Sequence, residues 1–205
     1  MLKWLIRRRL AAFEKDFGYD ASYIKHILDA DFGAFTKFVK AASIGKFRRD
    51  VPKDVFYAAG AVGIISEDCG PCTQLGVTMA LRDGMDPKVI AAVIAGDDAK
   101  LPPDVLLGVR FARAALAHAP EADDLREEIE RKWGPRASIS LAFALTGARI
   151  YPTVKYALGY GKSCQRVVVD GTTVIPPHAR AGATHAPAEA ARPERPAAGP
   201  SSLPA

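Results

Sequence analysis

Cys69 and Cys72, three positions apart in Cys69-Gly70-Pro71-Cys72, are the residues of this chain best suited to chemistry. They precede an apolar-periodic segment that includes Leu75, Met79 and Leu81. In the first turn of a helix, residues three apart share a face, so two sulfurs there meet and close a disulfide with little adjustment. A thiol at a helix N-terminus also sees unpaired backbone N–H groups, which favour the reactive thiolate. Three readings are open on these residues: a redox dithiol, two buried inert cysteines, and part of a zinc site. Zinc needs more ligands, and only Cys164 and the scattered His26, His118, His178 and His185 are at hand.

Glu67 and Asp68 stand directly before Cys69. At a helix start such carboxylates serve as caps or favourable charges. Beside a thiol they pull in opposite senses. Their charge raises the thiol pKa, whereas a carboxylate within reach takes the thiol proton as a general base. Glu67 is the one not needed as a cap, so the catalytic set read from the sequence is Cys69, Cys72 and Glu67. Cys164, in Gly161-Lys162-Ser163-Cys164, reads as a free thiol.

The elements around the pair all carry helical periodicity. Leu2, Leu5, Ile6, Leu10, Phe13 and Phe17 form one stripe, and Phe32, Phe35, Phe38, Val39 and Ala42 another. Asp50-Val51-Pro52 opens a helix through Val55, Phe56, Ala59 and Val62, with Pro52 in its first turn. Ser66 or Asp68 caps the cysteine helix, and Asp83-Gly84 ends it. Helices then open at Asp86-Pro87 and Pro102-Pro103. A charged, exposed one follows over residues 121–132. Another starts at Pro135, and a short last one surrounds Tyr156. Val167-Val168-Val169 reads as a strand. From about Pro176, Ala and Pro dominate without periodicity, and a disordered tail is expected. The expected organisation is all-α: N-terminal helices over 1–50, a helical core carrying the CxxC over 51–160, a short extended segment over 161–175, and the tail over 176–205.

The chain has 205 residues, 49% hydrophobic and 25% charged, enough for one domain with a core. Its net charge of +5 is mild, and no basic stripe interleaved with aromatics suggests nucleic acid. No segment reaches the ~18–20 apolar residues that span a bilayer, and the N-terminus lacks the order of charges of a signal peptide. With few cysteines, the expected location is the cytoplasm. The N-terminal amphipathic helix can lie on an anionic membrane surface, but packing on the domain or a partner subunit explains such a stripe as well. No cofactor motif or phosphate loop is visible.

C-G-P-C also occurs in thioredoxins, but there strands follow the cysteine helix, and here the following segments read as helices. The helical context resembles instead the carboxymuconolactone decarboxylase and alkylhydroperoxidase D-like family. The resemblance rests on a CxxC opening a central helix, a small-residue helix before it (Ala58 to Ile65), and Arg82-Asp83-Gly84-Met85 closing it. It covers roughly Val51 to Leu116, and more weakly the chain to Tyr156. It implies an all-helical domain that forms homo-oligomers and reduces small-molecule peroxides, with an unidentified thiol reductant closing the cycle. By position, Cys72 is then the attacking thiol and Cys69 the resolving one. Two relay residues of the family differ: Gly76 stands where the family has His, and Tyr57 near where it has Glu. Glu67, Asp68 or Thr73 must then supply the base. The rival reading is a non-catalytic helical oligomer that kept the fold and lost the relay. For lactone decarboxylation no catalytic group is identifiable.

Overall fold

Periodic apolar stripes, punctuated by proline and glycine, become helices in the computed structural model, which describes residues 1–162 and 166–178. Among those residues are nine α-helices: α1 (Leu2–Phe17), α2 (Ser22–Ala30), α3 (Phe32–Ala42), α4 (Lys53–Ser66), α5 (Gly70–Arg82), α6 (Pro87–Ala95), α7 (Pro103–Ala117), α8 (Glu121–Trp133) and α9 (Pro135–Ala157). Short 3₁₀ turns lie at Ser43–Lys46 and Asp98–Lys100. The fold class is all-α, as expected. No helix among the described residues is long and apolar enough to cross a membrane. Cys164 and the tail beyond His178 lie outside the described residues.

Capping chemistry sets several boundaries. Asp86 accepts the Lys88 N–H at 2.8 Å, Pro87 opens α6, and Gly96 closes it in the left-handed region. The expected cap of α5 is corrected. The apolar run before the cysteines keeps α4 helical through Ser66, whose hydroxyl donates back to the Gly63 carbonyl. Asp68 turns the chain with a positive φ of 49°, and Cys69 itself occupies the cap position. Pro52 likewise stands one residue ahead of α4.

The expected break before Tyr156 is also corrected, because α9 continues through Pro152 to Ala157. Proline removes one helical hydrogen bond, but Pro152 is buried, and packing on the neighbouring helices holds the segment straight enough to continue. The strand at Val167–Val169 (β1) is found and gains an antiparallel partner, β2 (Thr172–Val174). Asp170 and Gly171 between them both have positive φ, the geometry of a two-residue hairpin turn.

Helix α4 is the centre of the core. Val55, Phe56, Ala58, Ala59, Ala61 and Val62 are buried on it, against α5, α6, α7 and α9. Each large apolar side chain buried this way contributes about 1.5–3 kcal/mol. Helix α8 is charged, but it buries Leu125 and Ile129, four apart, on one side. Close backbone approach fixes one crossing: a Cβ on Gly147 of α9 would sit 2.5 Å from the Gly45 Cα.

A second, smaller cluster forms where the N-terminal helices close over α5. Arg7 pairs with Asp29 to join α1 to α2, and Lys25 pairs with Glu14. Arg82 of α5 binds Asp16 at 2.7 Å, with its guanidinium 4.1 Å from the Phe17 ring centroid. These ties bring Tyr19 and Tyr23 onto the cysteines.

Candidate active site

Both cysteines of the pair are reduced and buried, Cys69 at 0% and Cys72 at 5% exposure. They share one cluster with Tyr19, Ala21 and Tyr23, ringed by Phe13, Ile64, Leu75 and Tyr151 among others. Cys69 precedes the first turn of α5, and Cys72 lies in it. The Cys69 carbonyl accepts both the N–H and the hydroxyl of Thr73, each at 2.9 Å. The first N–H of the helix, on Gly70, donates to the Lys162 carbonyl at 3.1 Å. Downstream on α5, Gln74 donates to the Val168 carbonyl and accepts its N–H, so β1 is pinned along the cysteine helix.

The two sulfurs differ in charge preference. The Cys69 thiol pKa is lowered to about 7, first by the Cys72 thiol directed at it, which outweighs burial. The Cys72 backbone N–H and the positive charge of Lys155 act in the same direction, and Asp68 opposes them weakly. Cys72 is raised in turn, by holding that shared proton, by burial, and by the charge on Cys69. The pair therefore loses its first proton easily and its second with difficulty. Access runs the other way. Cys72, not Cys69, lines a cavity of about 370 Å³ between the N-terminal helices and the core. Its wall is mostly apolar, including Phe13, Ile24, Ile64, Leu75 and Met79.

Three groups that the sequence reading passed over complete the site. The Tyr19 hydroxyl lies 3.7 Å from the Cys72 sulfur and donates to the Tyr23 hydroxyl at 3.3 Å. Burial raises the pKa of both phenols, so they stay protonated. Lys155, in the last turns of α9, is 1% exposed. Its ammonium lies 4.4 Å from the Tyr19 ring centroid and 5.4 Å from that of Tyr23. The available signals were slight. Tyr19 and Tyr23 are four apart, and Lys155 falls one turn after Tyr151, on the side where an apolar residue belongs.

Glu67 is placed differently from its expected role. Its carboxylate accepts from Arg149 Nε at 2.6 Å and from the Thr153 hydroxyl at 3.2 Å. Both oxygens are thus engaged by α9, and no contact to either thiol is made. Asp68 pairs with His178 at 2.9 Å, and its carbonyl accepts the Tyr156 hydroxyl. Thr73 spends its hydroxyl on the Cys69 carbonyl. Gly76 lines the cavity, and a Cβ there would meet Ile64 Cδ1 at 2.8 Å. Tyr57 lines the same cavity. Among the described residues, no three His, Cys, Asp or Glu side chains are grouped to hold a metal ion.

Comparison with protein-family models, with curated proteins and with solved structures found no match.

Proposed function

We propose that the protein is a thiol–disulfide oxidoreductase that reduces organic hydroperoxides through Cys69 and Cys72. One observation carries this: a dithiol whose first proton is loosened places one sulfur, Cys72, on the wall of an apolar cavity. Inert structural cysteines need neither the loosened proton nor the opening. The CxxC within an all-α chain is what supports kinship with the alkylhydroperoxidase D-like family.

The Cys69 thiolate takes the Cys72 proton, so the pair supplies its own base in place of the missing histidine. The Cys72 sulfur attacks the outer peroxide oxygen. The O–O bond breaks, and the alkoxide leaves as the alcohol by taking back the proton that Cys69 had accepted, which returns Cys69 to thiolate. Cys72 is now a sulfenic acid. The Cys69 thiolate attacks that sulfur; the S–O bond breaks and hydroxide leaves, taking a proton from solvent to become water. The two electrons come from the dithiol, which becomes a disulfide. A thiol reductant returns them by exchange.

The protein is proposed to act in the cytoplasm as a homo-oligomer, without a cofactor. Exposed Leu2, Trp4 and Leu5 on α1 support a subunit contact. The test is steady consumption of an alkyl hydroperoxide with a dithiol reductant. Wild type should turn over, and Cys69→Ser and Cys72→Ser should not. Equal turnover by either variant would overturn the proposal. The rival, a helical protein without catalysis, draws on Gly76 and on the engagement of Glu67 by α9. It predicts no turnover by any of the three.

A further inference from the structure

The cluster holds a buried cation that the dithiol chemistry above does not use. Lys155 is 1% exposed, and among the described residues no carboxylate lies within ion-pair distance of it. An ammonium is costly to bury unless something replaces water around it. Here the faces of Tyr19 and Tyr23 do so in part, at 4.4 and 5.4 Å. Two aromatic faces leave a full positive charge without a compensating anion inside the cluster; the exposed Asp20 carboxylate acts on it from beyond ion-pair distance. The neighbour able to become that anion is the cysteine pair, since Tyr19 also contacts the Cys72 sulfur at 3.7 Å.

We propose that Lys155 is a positioning residue for the dithiol: its ammonium, held by Tyr19 and Tyr23, is the counter-charge that lets the Cys69–Cys72 pair ionise inside an apolar cluster. The proposal rests on the redox reading of that pair, but its test reads ionisation rather than turnover. The charge of Lys155 acts on both cysteines in the direction that favours thiolate. Other titratable groups border the cluster. Tyr19 and Tyr23 of the N-terminal layer and Tyr151 of α9 are phenols held protonated by burial. Asp20 is exposed, feels Lys155 and Lys162, and is bound by Ser22. Asp68 opposes thiolate at Cys69 and pairs with His178. None of them supplies a positive charge beside the sulfurs as Lys155 does.

The experiment is pH-dependent alkylation of the reduced protein, read by mass spectrometry at Cys69 and Cys72. Lys155→Met keeps the length and removes the charge. It should move the ionisation midpoint up by about one pH unit or more, a roughly tenfold loss of thiolate near neutral pH, while Lys155→Arg restores most of it. A merely structural lysine would leave the midpoint in place, and that result overturns the proposal. Should Lys155→Met fail to fold, the wild-type protein gives the answer by NMR. The Lys155 side-chain signals should move with pH at the same midpoint as the cysteine Cβ signals, and should lose that step once the pair is oxidised. Lysine signals that ignore the thiol titration overturn the proposal equally.

Discussion

Glu67→Gln separates a catalytic carboxylate from a structural one. In the structure Glu67 ties the α4–α5 turn to α9, through Arg149 at 2.6 Å and Thr153 at 3.2 Å. The pair is partly open to water, with side-chain exposures of 46% for Arg149 and 19% for Glu67. An ion pair of this kind contributes at most about 1 kcal/mol, and glutamine keeps an oxygen for the Thr153 hydroxyl. The expected cost is therefore about 0.5–1 kcal/mol, a fall in Tm of roughly 1–4 °C for a chain of this size. Hydroperoxide turnover should be unchanged, because Glu67 makes no contact with either thiol. Thermal unfolding and a turnover assay on the same preparation read both numbers. If Glu67 were the base, the rate would drop by ~10²–10⁴-fold. A loss of that size with Tm unchanged would return the proton to Glu67.

Gly147→Ala should destabilise the fold by about 1–3 kcal/mol, toward the upper end. The new Cβ meets the Gly45 backbone at 2.5 Å, and no side chain can rotate away; chemical denaturation measures it. Gly76→His tests the position at which the proposed alkylhydroperoxidase D-like relatives carry a histidine. The structure nevertheless predicts a loss of turnover, because the side chain must displace Ile64 and fills the cavity before Cys72. Its kcat/KM for a bulky hydroperoxide, compared with hydrogen peroxide, is the readout. The pair also predicts a pH signature. In the unfolded chain both thiols are protonated below about pH 8.5, whereas the native pair gives up one proton near 7. The native state thus binds fewer protons between those values, and stability of the reduced protein should rise with pH across that window. That gain is lost as pH falls through 7. Above the unfolded thiol pKa the sign reverses, because Cys72 holds its proton. Urea unfolding from pH 6 to 10 should show this maximum in wild type, and its absence in Cys69→Ser/Cys72→Ser.

The all-α class was legible because proline, glycine and the 3.6-residue period agree along most of the chain. Residues 53–66 and 87–95 follow that pattern closely. What misled was local chemistry overridden by packing. A separate short helix is expected around Tyr156, yet α9 runs on to it through the buried Pro152. Ser66 and Asp68 read as caps, yet the apolar run of α4 reaches Ser66 first. Helix α2 escaped notice because its buried side, Tyr23 and Leu28, is too short to stand out as a stripe. The cysteines of the site were legible from four residues. Their surroundings were not, since Tyr19, Tyr23 and Lys155 come from two distant segments that meet only through the closure of the N-terminal helices over α5.

Counting thiols tests whether Cys69 and Cys72 act together as a redox pair. The reduced protein is treated with one equivalent of an organic hydroperoxide, and its peptides are mapped by mass spectrometry. Both Cys69 and Cys72 should disappear as free thiols together and return linked to each other, with Cys164 still alkylatable. Persistence of both thiols, or a disulfide from either one to Cys164, would contradict the account.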